Sequence, residues 1–367
     1  MTHLIKRVAQ AITPFSGRSR QGQGSEPELL PIDEKHEEET LEDYRPDRFY
    51  PAKYHEMIGD RYEILVKFGY GGYSTVWLAK DLRTKGFVTL KILTNDYNDD
   101  TVFSCERKML QHITATDPNH PGYQLVRTLL DSFDISGPNG KHTCLVHEPL
   151  GIDMLKFHNK WLGRRQLPPY LIKSVTRRML SALNYLHTAC RVVHTDIKPN
   201  NILIQIRTKS LKDFVRQEAA NPGPRKVLPD RIIYESRSSF GPHAHGGAIL
   251  TDFGLAKFGD VDHEEEIQPD EVWYLFEDDF LMPGKDGDGE YDAKIQLAQM
   301  IAYLGPPPIE LLERGKKSHK AFDTEGKSPS LVLFLQFMRS MLEWLPEKRK
   351  TAKELLSDEW LNSQDAV

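Results

Sequence analysis

The sequence has few cysteines: Cys105, Cys144 and Cys190, an odd number, far apart and with no C-x-x-C pair. That argues against a disulfide framework and a thiolate zinc site, and leaves buried free thiols in a reducing compartment. No apolar run is long enough for a membrane span. Charge of one sign is not in excess. The net −5 gives no global reason to expect a nucleic-acid binder. No internal repeat occurs, which removes solenoids and propellers. Hydrophobic content of 39% and charged content of 28% suit a soluble globular protein, and 367 residues suffice for one large domain or two lobes.

The first part of the chain is biased in composition. Residues 1–24 contain no acid, and carry Lys6, Arg7, Arg18 and Arg20 with apolar residues at roughly helical spacing. A basic disordered tail is the favoured reading, because Pro14 interrupts the stripe. A mitochondrial transit peptide is the alternative. Residues 33–43, "DEKHEEETLED", are acidic and read as a solvated linker.

From Arg61 the pattern changes. "RYEILVKFGY", "STVWLAKDL" and "FVTLKIL" are short β-rich runs broken by glycine, which suggests an antiparallel sheet. After Leu150 helical periodicity dominates. Leu171, Val175, Met179 and Leu183 recur every four residues, widened by Leu180 and Leu186. "SLVLFLQFMRSMLEWL" (330–345) is apolar enough for a largely buried helix. Strands followed by helices imply an α+β chain with a small β-rich lobe and a larger helical one.

Within this frame lie residues suited to phosphate chemistry. In "GYGGYSTV", Gly69 and Gly71 let the backbone approach a phosphate, and Val76 offers an apolar face to a base. The loop is not a Walker A motif, since no Gly-Lys-Ser/Thr and no helix follow. Lys91 sits between apolar strand residues, where a buried ammonium needs a partner, and Glu106 on the next predicted helix is placed to supply one. "VVHTDIKPNNILI" (192–204) puts Asp196, Lys198 and Asn201 on one loop, and "ILTDFGLAKF" (249–258) puts Asp252 before a Phe-Gly turn. Two carboxylates, an amide and a lysine suit Mg²⁺–nucleotide chemistry.

Taken in order, these four motifs resemble the eukaryotic protein kinases over about residues 60–258, with "PEKRKTAKELLSDEWL" (346–361) similar to that family's last helices. The resemblance implies a bilobal fold with an N-lobe over about 60–147, a hinge at 148–151 and a C-lobe over 152–367. Residues 1–43 form a tail and 44–367 the kinase domain. It implies ATP and Mg²⁺ as cofactors. Gly69, Gly71 and Ser74 would cover the ATP phosphates, with Val76 over the base. Lys91 would hold the α/β-phosphates, locked by Glu106. Glu148 and Leu150 would contact adenine, with His147 behind the pocket. Asp196 would accept the substrate hydroxyl proton, Lys198 would neutralise the γ-phosphate, and Asn201 and Asp252 would hold the metal.

The H-T-D form of the catalytic loop, "STVWLA" and "RPDRFYPAKYHEMIGDRYEIL" are similar to the SR-protein kinases, in particular fungal ones. Protein substrates rich in Arg/Ser, namely splicing factors, are therefore implied, in the cytoplasm or nucleus. No direct nucleic-acid or membrane partner is implied, and the expected state is a monomer. An insert over about 207–247 is too long for a hairpin turn and reads as a solvated loop. Thr195 stands where most of the family has an arginine that pairs with an activation-loop phosphate, so activity is expected to need no such phosphorylation.

"DHEEEIQPDEVWYLFEDDFL" (262–281) joins what resembles the end of the activation loop directly to the last part of a buried helix. The docking loop, the A-P-E motif and an aspartate early in that helix have no counterpart. Arg349 thereby loses its expected glutamate. Misalignment of a substrate by about 1 Å can cost roughly 100-fold in rate. A catalytically impaired ATP-binding scaffold, an unstable fragment, or a translation that skips an exon are the alternatives. Two other patterns fail. "DGDGEYD" (286–292) has Tyr291 where a calcium loop needs glycine. His243 and His245 lack partners at metal spacing.

Overall fold

Alternation along "STVWLAKD" sends Trp77 and Ala79 to one side of a sheet and Val76 and Leu78 to the other. The computed structural model describes residues 26–96, 105–161, 169–237, 245–259, 337, 339–343 and 347–362. In chain order they form β1 (Met57–Ile58), β2 (Tyr62–Gly71), β3 (Ser74–Asp81), β4 (Phe87–Leu93), α1 (Cys105–Ala115), β5 (Asp131–Gly137), β6 (Gly140–His147) and β7 (Leu150–Asp153). Next come α2 (Met154–Trp161), α3 (Pro169–Asn184), β8 (Val192–Val193), β9 (Ile202–Ile206), α4 (Thr208–Ala220), β10 (Arg225–Val227) and β11 (Ile232–Tyr234). β12 (His245–Leu250), β13 (Lys257–Phe258), α5 (Ala352–Leu355) and α6 (Glu359–Asn362) complete the described elements.

The chain divides into two units. The first comprises residues 1–98, 130–151 and 205–246; the second comprises 99–129, 152–204 and 247–367. Residues 99–129, which include α1, thus group with the second unit, although the expected N-lobe ran unbroken over 60–147.

In the first unit a six-stranded sheet runs β1-β2-β3-β4-β6-β5, every pair antiparallel. One face carries Ile64, Trp77, Ala79, Leu90, Ile92, Cys144 and Val146, all nearly inaccessible to water. At roughly 1.5–3 kcal/mol for each large buried side chain, this layer is the main stabiliser of the unit. Gly59 adopts φ 58, and a Cβ there would meet the Phe133 ring at 2.8 Å, so the turn entering β2 requires glycine.

The insert is not a solvated loop. Its α4 buries Leu211 and Phe214 against Val66, Phe68 and Leu78, with Phe68 and Phe214 edge to face at 6.0 Å. Its hairpin β10–β11 brings Tyr234 into a stack on Tyr54 at 4.0 Å and edge-on to Trp77 at 5.8 Å. Trp77 and Leu78 point to opposite faces, so the insert covers the sheet on both sides and belongs to the first unit, where a C-lobe loop was expected.

Nor is the acidic segment 33–43 a solvated linker. Residues Glu37–Thr40 form a 3-10 turn, and Glu38 is buried. Lys67 on β2 is fully buried and pairs with Glu38 and, at 3.5 Å, with Glu37. Glu39 pairs with Lys226 of the hairpin at 3.0 Å, and Glu37 accepts the Ser236 amide at 3.0 Å. A buried ammonium is costly unless its protons meet carboxylates, and the acid run is what meets this one. Residues 1–25 lie outside the described residues.

In the second unit, Val175, Met179 and Leu180 of α3 are buried, as the four-residue stripe predicts. The helix ends in one π-helical turn, Tyr185–Cys190. Leu180 packs with Phe337, Ala352, Leu355 and Leu361. Thr351 and Glu354 cap α5 reciprocally. Arg349 donates to the Glu343 carbonyl from Nε at 3.1 Å and from its terminal nitrogen at 2.9 Å. Cys144 and Cys190 are free and buried, and burial pushes both thiols up. No helix among the described residues is long and apolar enough to cross a membrane.

Candidate active site

Strand register assembles the candidate residues of the first unit. Gly69 pairs with Val76, Val76 with Lys91, and Lys91 with Leu145, so one row across four strands carries the glycine turn, the apolar cover and the lysine. Residues directly opposite share a face. Val76 and Lys91 therefore project to one side of the sheet, and His147, two residues beyond Leu145, lies on that side too. The turn closes with Gly71 opposite Ser74, whose side chain is buried. A Cβ added at Gly69, Gly71 or Gly72 would meet nothing within 4 Å, and none of the three has a positive φ. The fold itself does not demand glycine there; a group that must approach the backbone closely would. Glu148 is exposed and Leu150 buried.

The second unit carries a hydrogen-bonded knot of its own. Asn201 Nδ2 donates to Asp196 Oδ2 at 2.8 Å and to the Asp196 carbonyl at 2.9 Å. Lys198 Nζ lies 3.1 Å from Asp196 Oδ1. The Asn201 carbonyl accepts from the Thr251 amide at 2.8 Å and its hydroxyl at 2.9 Å, which ties the loop to the residue before Asp252. His194 completes the tie. Its Nε2 is 3.0 Å from the Thr251 carbonyl and its Nδ1 is 3.3 Å from the Asp196 amide. A carbonyl on one side and an N–H on the other require a neutral ring protonated on Nε2. Burial pulls the His194 pKa down in the same sense. Phe253 packs edge-on to this ring at 5.0 Å.

Two residues here hold left-handed backbone, Thr195 at φ 67 and Asp252 at φ 65. Such conformations cost about 1–3 kcal/mol for non-glycine residues and persist where surrounding contacts impose them. For Thr195 the contact is its hydroxyl donating to the Leu255 carbonyl at 2.7 Å. Glu106 on α1 is buried, near Asp252 and Gly254.

Of the residues singled out in the sequence, Asp196, Lys198, Asn201, Asp252 and Glu106 lie in the second unit, and Gly69, Gly71, Ser74, Val76, Lys91, Glu148 and Leu150 in the first. Asn201 spends its amide nitrogen on Asp196, and its Oδ1 and the Asp252 carboxylate are both oxygen ligands. Oxygen donors of this kind fit a small hard cation. Among the described residues no group of three His, Cys, Asp or Glu is placed to hold a metal by protein ligands alone. His194 and Thr251 are structural members that sequence reading passed over, although both lie inside the two motifs. The stretch 262–281 and "DGDGEYD" lie outside the described residues.

The protein kinase domain profile matches residues 62–226. A serine/threonine protein kinase of Aspergillus fumigatus is 34% identical over 90% of this chain and 92% of its own length. The chain belongs to the protein kinase family. It is an ATP-dependent serine/threonine protein kinase, and its relatives include SR-protein kinases. The serine/threonine-protein kinase SRPK of Physarum polycephalum is 30% identical over 89% of this chain and 91% of its own. SRSF protein kinase 3 of Mus musculus is 38% identical over 59% of this chain and 38% of its own. A crystal structure of a kinase domain superposes with a TM-score of 0.60 at 20% identity, covering 85% of this kinase and 98% of that chain, and it supports the bilobal fold. The first two alignments span 377 and 395 positions, more than the 367 residues of this kinase. Those relatives therefore carry residues with no counterpart here.

Proposed function

We propose that this kinase transfers the γ-phosphoryl group of ATP to serines in Arg/Ser-rich proteins, with Asp196 as the base that receives the hydroxyl proton. The observation that carries the reading is the knot of Asp196, Lys198, Asn201 and Thr251 leading into Asp252. Phosphoryl transfer asks little covalent work of a protein and much positioning of charge. Asn201 and Lys198 fix both oxygens of Asp196, so the carboxylate is oriented before substrate arrives. Lys198 would neutralise the γ-phosphate beside Asp196. Asn201 and Asp252 would hold Mg²⁺, which supplies charge neutralisation of the phosphates when bound. Gly69, Gly71 and Ser74 would lie over the phosphates, Val76 on the base, Lys91 on the α/β-phosphates with Glu106 behind it, and Glu148 and Leu150 at the adenine edge.

The Arg/Ser preference follows from the SRPK and SRSF protein kinase relatives. Cytoplasm or nucleus, a monomeric state, and a kinase domain starting near residue 44 belong to the same reading. Thr195, bonded to a backbone carbonyl, leaves no cation at that position for an activation-loop phosphate. Phosphatase treatment is expected to leave activity unchanged. The decisive experiment compares phosphate transfer to an Arg/Ser peptide and to the same peptide with alanine for arginine. Transfer to the first alone, abolished by Asp196→Ala, supports the reading; equal transfer to both removes the substrate class.

One observation favours a second reading. The residues present in the aligned relatives and missing here are consistent with loss of the docking loop and A-P-E segment. In that case this kinase binds ATP as a scaffold and transfers phosphate poorly. Nucleotide-dependent thermal stabilisation without measurable transfer identifies that outcome.

A further inference from the structure

Glycine backbone is conformationally permissive, and around Gly69, Gly71 and Gly72 there is open space where a Cβ would stand. Order in the glycine-rich turn therefore has to come from its other residues. Gly71 pairs with Ser74, so Gly72 and Tyr73 form the tip of the β2–β3 hairpin. Tyr73 is tied at two points. Its carbonyl accepts from the Thr94 amide at 3.0 Å, and its ring faces the Arg48 guanidinium, whose central carbon is 5.5 Å from the ring centroid. A guanidinium within about 6 Å of an aromatic face is attracted by the ring quadrupole, more strongly when water is excluded.

Arg48 is itself fixed. It ends the 3-10 turn Pro46–Arg48 and is 8% exposed. Its Nε stands 2.6 Å from Asp96 Oδ2, and Arg45 reaches the same oxygen at 3.8 Å. The Asn95 amide donates to the Arg48 carbonyl at 2.9 Å, and Asn95 Nδ2 donates to the Asp47 carbonyl at 2.8 Å. Asn95 and Asp96 lie just past the end of β4, the strand that carries Lys91. One side chain from the segment ahead of the sheet thus joins the tip of the glycine-rich turn to the end of the lysine strand. All of these residues belong to the first unit.

We propose that Arg48 is a positioning residue for nucleotide binding: through the Tyr73 ring it holds the glycine-rich turn in place over the phosphates. The inference rests on the role given above to Gly69, Gly71 and Ser74. A turn ordered before the nucleotide arrives has less freedom to lose on binding. The anchor therefore acts on affinity for a phosphate-bearing ligand and hardly at all on adenosine. Arg48 lies outside the four motifs, and no spacing in the sequence links it to Tyr73.

The test measures binding of Mg-ATP and of adenosine to the full-length protein by calorimetry, with amide hydrogen exchange on the nucleotide-free protein alongside. Arg48→Met is expected to weaken Mg-ATP binding about 3- to 10-fold and adenosine binding by less than about 2-fold, and to speed exchange over residues 70–74. Tyr73→Leu is expected to do the same, whereas Tyr73→Phe keeps the ring and is expected to stay within about 2-fold of wild type for both ligands. Both single variants break one contact, so Arg48→Met/Tyr73→Leu is expected to bind Mg-ATP no more weakly than the worse of the two. Additive losses overturn the proposal. Equal weakening of Mg-ATP and adenosine also overturns it, because that is the mark of general structural damage. If Arg48→Met yields no soluble protein, the Tyr73 pair decides: a weakened leucine variant beside a wild-type-like phenylalanine variant supports the proposal, and two alike overturn it. Failure of the underlying reading looks different. A wild-type protein that binds Mg-ATP no better than adenosine removes the assignment of the turn to the phosphates and the proposal with it, whereas an ATP preference unchanged in both single variants overturns the proposal alone.

Discussion

The loop His194–Asn201 and the insert from Ile206 to Arg237 are ordered by opposite means. The loop holds itself: Asn201 reaches back five residues to Asp196, and Lys198 reaches the same carboxylate. Its distant ties, to Thr251 and Leu255, are made by main-chain groups, two threonine hydroxyls and the His194 ring. The insert forms its own helix and hairpin, but distant partners place them. Its order comes from Phe214 on Phe68, Tyr234 on Tyr54, and glutamates as far as 199 residues earlier in the chain. A segment stabilised by its own polar side chains shows a dense motif. A segment stabilised by partners far along the chain shows a bland one, whatever its final order.

Breaking each side separately tests that contrast, and the largest effect is on chemistry. Asp196→Ala should reduce phosphate transfer by at least about 100-fold, in line with loss of a general base, while urea unfolding stays near wild type. The reverse pattern is expected at Lys67. Replacing it with methionine leaves Glu37 and Glu38 facing one another without their cation, and should cost about 3–5 kcal/mol in urea unfolding. Phe214→Ala removes the insert's apolar anchor, which is 8% exposed, and should cost about 3 kcal/mol, with kcat of the surviving folded protein little changed.

The Arg61–Asp81 pair sharpens the comparison through pH. Asp81 accepts from Arg61 Nε at 2.9 Å and its terminal nitrogen at 2.8 Å, and from Thr84 at 2.8 Å. The Arg61 guanidinium holds its carboxyl well below the usual range, against burial. A carboxyl depressed in the folded state stabilises above its unfolded pKa of about 3.9 and loses that contribution as pH falls towards the folded value. Asp81→Asn should therefore cost about 2 kcal/mol at pH 7. The gap to wild type should close as chemical unfolding is repeated at successively lower pH below 4. The smallest effect is expected on the outer side of the insert helix, where Arg216 and Asp213 form an exposed pair. Asp213→Ala should change stability by no more than about 0.5 kcal/mol.

Much of the candidate site was legible because its chemistry is local in sequence. Asp196, Lys198 and Asn201 sit within six residues, and the knot they form needs little more than the loop itself. Lys91 was legible for a different reason: a charged residue amid strand-forming apolar ones is costly, and only a function or a partner keeps it. His194 and Thr251 were passed over because a buried histidine and a threonine carry no charge to draw attention.

The acidic run 33–43 shows the limit from the other direction. Its composition is that of a solvated linker, and the expectation was reasonable on composition alone. Lys67 overrides it: this lysine is buried on β2 where the strand register shifts, and three successive glutamates satisfy it and the hairpin beside it.

What the residues determined unaided were the two secondary-structure regimes, the phosphate-handling motifs and their order, because propensity, periodicity and short-range hydrogen bonding act between near neighbours. Tertiary structure alone decided that the insert and the acidic segment join the β-rich unit and that α1 groups with the helical one. Each of these depends on which distant surfaces bury one another, and burial free energy is a property of the assembled chain rather than of any stretch of it.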